Sequence, residues 1–307
     1  MSFADLKKNR SKSLETLSKQ LEKMTSKGYS DPEKEKYWNL ARDAAGNGAA
    51  IIRFLPALEG EDPFVQIWDH SFKGPGGWYI KKSLTTLKQE DPVSKFNTQL
   101  WNSGNEKDKE QARKQKRRLK YHSNILVIKD STNPENEGKV FLFAYGKKIF
   151  DKLNDLMNPQ FDDETPVNPF DLWEGANFRI KIRDVDGYPN YDKSEFDSPS
   201  ALYGGDDDKL EGIYNQLHSL KAILDPKNFE AYEELEARLY KILGITGGNT
   251  SRAGAATADD MIDEELDMSK LAKEKSAPAQ KAAEAASVPG DEDGDDDLEF
   301  FRSLANS

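Results

Sequence analysis

Cysteine is absent from all 307 residues. That one absence removes disulfides, thiol nucleophiles and thiolate metal sites together. Histidine is nearly absent, and His70, His122 and His218 are scattered along the chain. Long apolar runs are missing too. No stretch approaches the roughly 20 residues of a membrane helix, and the opening MSFADLKKNRSKS has no apolar signal core. These absences predict a soluble, cytoplasmic protein. GPGGW, residues 74–78, has the glycines of a phosphate loop but not the Walker A spacing. DEDGDDDLE, 291–299, lacks the spacing of a calcium loop. Carboxylates are plentiful, yet nothing selects a catalytic pair. The expectation is a protein that is not an enzyme, with no cofactor and no metal.

Apolar residues make up only 36% of the chain, against 32% charged. That is lean for a fully globular chain of this length, so part of it is expected to stay disordered. The formal charge of −11 is unevenly placed. Residues 251–307 hold six basic and fifteen acidic side chains, a net −9, which leaves −2 on residues 1–250. The acidity describes a tail and not the body. Residues 1–27 lean the other way, with seven bases against three acids and Leu14, Leu17, Leu21 and Met24 at helical spacing. They read as a basic docking arm.

Between these ends lie six short runs rich in β-branched and aromatic residues: AAIIRFLPA, FVQIWDHSF, WYIKK, NILVIKD, KVFLFAYG and NFRIKIRDV. GPGG at 74–77 and NPENEG at 133–138 read as hairpin turns between them. Short strands joined by hairpins predict a small barrel or sandwich. KKIFDKLNDLM, 147–157, reads as a helix. So does 207–224, with Leu210, Ile213, Leu217, Leu220 and Leu224 on one face. Residues 225–244 read as another, with Asp225 as N-cap, Pro226 at N1 and Gly244 as the stop. The boundaries that follow are an arm over 1–27, a core over 28–246, and a linker with acidic tail over 247–307.

One stretch runs against the overall charge. RKQKRRLK, 113–120, carries six bases and no acid, and Tyr121 and a strand follow it. Proteins that hold single strands combine a basic groove for phosphates with aromatic rings for bases. Arg113, Lys114, Lys116, Arg117, Arg118 and Lys120 supply the charge. Trp78, Tyr79, Trp101, Tyr121, Phe143, Tyr145, Tyr188 and Tyr191 are the candidate rings. Tyr188 and Tyr191 sit in the turn-like DGYPNYD, whereas Trp78, Tyr79 and Phe143 read equally well as core.

Four blocks carry a more specific signal: DAAGNGAAIIRFLP at 43–56, HSFKGPGGWYI at 70–80, RRLKYHSNILVIKDSTNPENEGKVFLFAYGKKIFDKLN at 117–154, and WEGANFRIKIRDVDGYPNYDKSEF at 173–196. In order and content they resemble the single-stranded-DNA-binding (helix-destabilising) proteins of T4-type bacteriophages. The resemblance covers most of residues 40–200. It implies a mainly β fold with flanking helices, built on a five-stranded oligonucleotide-binding (OB) barrel with a cleft for single strands. It implies phosphate contacts from Lys116, Arg117 and Arg118, with Lys114 and Lys120 beside them. It implies ring contacts from Tyr121, Phe143, Trp101, Tyr188 and Tyr191, and from His122, where the best-known member has Trp.

The same resemblance implies a role in phage DNA replication, recombination and repair inside the infected bacterium. The acidic tail would either occupy the basic cleft or recruit replication and recombination proteins through Phe300 and Phe301. It further implies cooperative self-association along the strand through the arm. The family's docking motif survives there only in loose form, with Lys8, Arg10 and Lys12. The best-known member holds zinc with one His and three Cys. His70 matches the His, but Ser83 stands where the first Cys belongs and the other two are gone, so no structural zinc is expected. Residues 84–112 must then order through Leu84, Leu87, Val93, Phe96 and Leu100 or remain mobile. Two other classes fit the residues alone: an RNA-binding translational regulator, and a protein-interaction hub whose basic run meets an acidic partner.

Overall fold

The structure is a computed structural model that describes residues 32–161, 163–185 and 188–245, together with Asp259. The arm with Lys8, Arg10 and Lys12, and the acidic tail apart from Asp259, lie outside the described residues. All six predicted runs form strands: β1 Gly48–Phe54, β2 Val65–Gly74, β3 Gly77–Lys82, β4 Arg118–Asp130, β5 Val140–Tyr145 and β6 Asn177–Val185. Two short ones follow, β7 Tyr188–Asn190 and β8 Glu195–Phe196. The helices are α1 Pro32–Glu35, α2 Pro92–Asn102, α3 Glu106–Gln115, α4 Lys147–Met157, α5 Asp207–Tyr214 and α6 Tyr232–Leu243.

The strand pairing is antiparallel, in the order β3-β2-β4-β1-β6-β7, with β5 also on β4 and β8 also on β6. β4 organises it, because its 13 residues are long enough to serve three partners. Its first residues, Arg118 to His122, pair with β2, and Ile125 to Asp130 pair with β1. Its other edge takes β5 from Tyr121 to Leu126. The backbone at 36–38 then lies along the outer edge of β5, where Leu142 N donates to Lys36 O at 2.8 Å and Trp38 N donates to Leu142 O at 2.8 Å. That segment covers an edge otherwise open to stray pairing. Among the described residues no strand pairing closes the sheet into a barrel.

The core is unusually aromatic. Phe54 is fully buried, with Phe143, Tyr145, Phe170, Phe178 and Phe196 all within 6.5 Å, centroid to centroid. Edge-to-face and tilted rings suit their quadrupoles better than a face-to-face sandwich. On the opposite face of β1, Arg53 is also fully buried. Its Nη2 donates to Asp171 O and Ser200 O, each at 2.9 Å, which ties the loops on either side of β6 to the sheet. A second apolar cluster packs Phe72 and Tyr79 of the β2–β3 hairpin against Val93 of α2 and Leu235, Leu239 and Ile242 of α6. GPGG therefore does more than turn the chain. A Cβ on Gly74 would stand 2.6 Å from Ile242 O, and one on Gly76 would stand 2.5 Å from Lys241 O. Only bare glycine backbone lets the end of α6 approach this closely.

Two helix boundaries depart from the sequence reading. The helix expected over 207–224 stops at Tyr214, and only a 3-10 turn, Lys221–Leu224, follows it. Tertiary bonds displace the helical ones. Asn124 takes both backbone groups of His218, donating to its O at 2.8 Å and accepting from its N at 2.9 Å. The Glu61 carboxylate accepts from Leu220 N at 2.7 Å and Lys221 N at 3.2 Å. The helix expected over 225–244 begins at Tyr232, because Asp225 caps a separate turn, Pro226–Asn228. Its C-terminal stop holds, since Gly244 takes a left-handed φ of 69°.

Candidate nucleic-acid interface

The basic run spans the junction of α3 and β4. α3 starts at an Asn105 cap, whose side chain accepts from Lys107 N, and ends where Lys116 turns to extended backbone. The chain then enters the ladder opposite β2. Arg113, Lys114, Arg117 and Lys120 have identifiable partners. Lys114 pairs with Glu110 at 2.8 Å on an exposed helix face. The Arg113 guanidinium lies 5.2 Å from the Trp101 ring centre, and Lys109 lies 5.6 Å from it. Arg117 lies 4.3 Å over Trp68 of β2. Lys120 contacts Asp69 at 3.2 Å, with both side chains about three-quarters or more buried. Lys116, Arg117, Arg118 and Lys120 are all half-buried, so the run forms a ledge with one side held by the protein.

Three of the rings expected to face a bound strand lie inside instead. Tyr121 is 5% exposed, and Phe150 of α4 covers its face at 3.9 Å with the planes 5° apart. Phe143 sits among the aromatics around Phe54, so its core reading is the one the packing adopts. His122 is buried, with its Nδ1 3.1 Å from Tyr37 Oη and the two rings edge to face. Burial, then the charges of Lys120 and Lys82, push its pKa down to about 3. The imidazole is therefore neutral at ordinary pH and adds no charge to the ledge. The reason lies in the packing. Tyr121 and His122, successive on β4, point to opposite faces, and Phe150 covers one while Tyr37 covers the other; Phe143, on β5, packs against Trp38 and Phe54.

Tyr188 and Tyr191 are half-buried at the β6–β7 hairpin, and Trp101 is half-buried in the last turn of α2. Trp78 is half-exposed beside Lys73, whereas Tyr79 is core. The fold also recruits cations outside RKQKRRLK. On α4, Lys147 acts electrostatically on Tyr121, Lys148 lies 4.0 Å from Asp192, and Lys152 donates to Asp192 O at 3.4 Å. α4 thus links the Tyr121 end of the ledge to the Tyr191 turn. Its signal in the sequence was the KK at 147–148, with Lys152 a turn further on.

Where the resemblance would place a zinc ligand, His70 and Asp91 form a buried ion pair, Nε2 to Oδ1 at 3.1 Å. His70 Nδ1 lies 2.9 Å from Gln115 O, so both ring nitrogens are taken. Asp91 caps α2, accepting from Val93 N and Ser94 N, and also accepts from Leu84 N. Burial alone would raise its pKa, but His70 and these amides outweigh it and hold Asp91 at about 2. The same pairing overcomes the burial that would lower His70, and raises its pKa. Ser83 is fully buried and caps the 3-10 turn Leu84–Leu87. One committed imidazole, one committed carboxylate and no thiolate do not fit a structural zinc ion. Residues 84–112 are ordered by this ion pair, by Leu84 and Val93 with Phe96 packed against them, and by Leu100 packed against Ala112 of α3.

Comparison with known proteins agrees with this picture. The profile of the family described as "gp32 DNA binding protein like" matches residues 46–243. The "Single-stranded DNA-binding protein" of Enterobacteria phage T4 is 37% identical over 264 residues, covering 83% of this chain and 86% of that protein. The protein of the same name from Enterobacteria phage T2 matches to the same extent. One from Escherichia phage SV14 is 38% identical over 100 residues, covering 31% of this chain and 88% of that protein. The chain belongs to the gp32 DNA-binding-protein-like family of bacteriophage proteins.

Proposed function

We propose that this protein binds single-stranded DNA with little sequence preference and has no enzymatic role. The observation that carries the reading is the cationic ledge at the start of β4, which α4 extends toward Tyr188 and Tyr191. The names of its phage relatives support the reading. Lys114, Lys116, Arg117, Arg118 and Lys120 neutralise phosphates, and Lys147, Lys148 and Lys152 continue the track. Trp101, Tyr188 and Tyr191 offer ring faces, and each stacked base contributes roughly 1–3 kcal/mol. Tyr121, His122 and Phe143 act from inside, holding the ledge in place. Non-specific binding of this type follows from contacts to phosphates and ring faces, which every nucleotide possesses.

The antiparallel sheet around β4 is read as an OB-type barrel. Residues 1–27, with Lys8, Arg10 and Lys12, are read as the contact between neighbouring protomers that makes binding cooperative. The acidic tail is read as a competitor for the ledge or a recruiter of replication and recombination proteins. The setting is phage DNA replication, recombination and repair in the cytoplasm of the infected bacterium. No described helix is long and apolar enough to cross a membrane.

Titration with oligo(dT), followed by the anisotropy of a labelled strand and by tryptophan emission, tests the core of this reading. Saturable binding with quenching is expected, since Trp68 and Trp101 both lie under cations of the ledge. An unchanged anisotropy at low salt would refute it. Tighter binding to a matched RNA strand would point to the RNA-regulator alternative.

A further inference from the structure

We propose that α2 carries a docking socket for this chain's own C-terminal segment, anchored by the carboxylate of Asp259. Asp259 is fully buried. Its Oδ2 accepts from Ser94 Oγ at 2.5 Å and its Oδ1 accepts from Asn97 Nδ2 at 3.4 Å. Ser94 and Asn97 are three residues apart, so they share one face of the helix. Both are themselves buried. Two buried polar side chains next to Val93 and Phe96 contribute nothing to an apolar core. Left without an acceptor, each donor would carry the desolvation cost of an unmade hydrogen bond. The carboxylate supplies that acceptor. Its charge also joins that of Asp91 in favouring protonated His70, so the buried acid is offset by a nearby cation.

Thirteen residues separate Ile245 from Asp259. Such a connection can span up to about 45 Å when extended. The socket selects one position from that range, and it lies on the helix that packs against α3. Asp259 is therefore held beside the helix that leads into the basic ledge. The ligand of this site is a carboxylate side chain on an intramolecular segment. The contact stands apart from strand binding, and its test contains no DNA.

The native chain has no cysteine, so a single spin label can be placed at Asp263→Cys in the full-length protein. Amide NMR signals of α2 from Val93 to Thr98 should lose most of their intensity. The double variant Ser94→Ala/Asn97→Leu should restore them. If that variant fails to fold, Asp259→Ala removes the same contact from the other side and should restore them equally. Undiminished α2 signals in the labelled protein would overturn the proposal, as would quenching that survives loss of the contact. Quenching in a mixture of spin-labelled unlabelled-isotope chains with spin-free isotope-labelled chains would assign the anchor to a second copy, and would overturn it too.

Discussion

Replacing Lys116, Arg117 and Arg118 together by Ala removes the centre of the ledge, and the size of the effect follows from its geometry. On a single strand each phosphate contact contributes about 0.7 to the slope of log K against log salt, so three lost contacts flatten it by about 2. Between 50 and 200 mM salt, a fourfold range, that difference amounts to about 18-fold in affinity. The variant's deficit should thus be large at low salt and nearly closed at high salt. Lys120 behaves differently, because Asp69 already holds it at 3.2 Å. Lys120→Ala should change the slope less than any member of the triplet, and Asp69→Asn should strengthen binding by releasing Lys120. Arg117 has a second role as the cover over Trp68, 4.3 Å from its ring. A cation over Trp contributes about 0.5–1 kcal/mol at such sites, so a small fall in thermal stability accompanies its loss. Anisotropy of labelled oligo(dT) over a salt series measures the slope, and thermal unfolding separates the stability effect. A triple variant that binds more weakly at every salt by a constant factor would refute the argument, because the ledge would then act through shape and not through charge.

The buried His122 makes a prediction about acid. Its pKa in the folded protein is about 3, below the ordinary 6.5, so the unfolded chain takes up a proton below pH 6.5 that the folded one refuses. This contribution is present in full above pH 6.5 and is lost as pH falls, by about 2 kcal/mol at pH 5. His70, whose pKa is raised, works in the opposite sense and loses stability as pH rises. Urea unfolding of wild type and His122→Gln at pH 8 and pH 5 isolates the first effect: the variant should lose less on acidification, and equal losses would show that His122 is not the group responsible. Arg53→Met tests the clamp behind β1. It strands the carbonyls of Asp171 and Ser200 in a buried site, and should cost about 3 kcal/mol in thermal or urea unfolding; a loss under about 1 kcal/mol would mean that water replaces the guanidinium there.

Local chemistry made much of this protein legible before any coordinates. Short runs rich in β-branched and aromatic residues, separated by Gly, Pro, Asn or Asp, marked all six long strands, because such residues fit a pleated surface and GPGG admits a tight turn. The charge count located the acid on the tail, and the run at 113–120 located the cations. The helix end at Tyr214 was not legible, since it depends on Asn124 and Glu61, distant in sequence, taking over backbone groups that a helix would otherwise use; the start at Tyr232 follows from Asp225 capping the separate turn Pro226–Asn228.

The rings divide along the same line. Sequence placed Tyr121 and His122 directly after the basic run, and the resemblance added Phe143. Only the packing put them inside: Phe150 of α4 lies over Tyr121, Tyr37 lies against His122, and Phe143 of β5 joins the aromatic core. Burial is a property of what packs on both sides of a strand, and no local pattern reports it when both faces are covered. The absence of cysteine was likewise plain in the sequence. That Asp91 pairs with His70, and that Asp259 completes the cluster from 165 residues beyond Ser94, was decided by the tertiary fold alone. A buried charge finds its partner in space, and the spacing of residues along the chain carries no record of it.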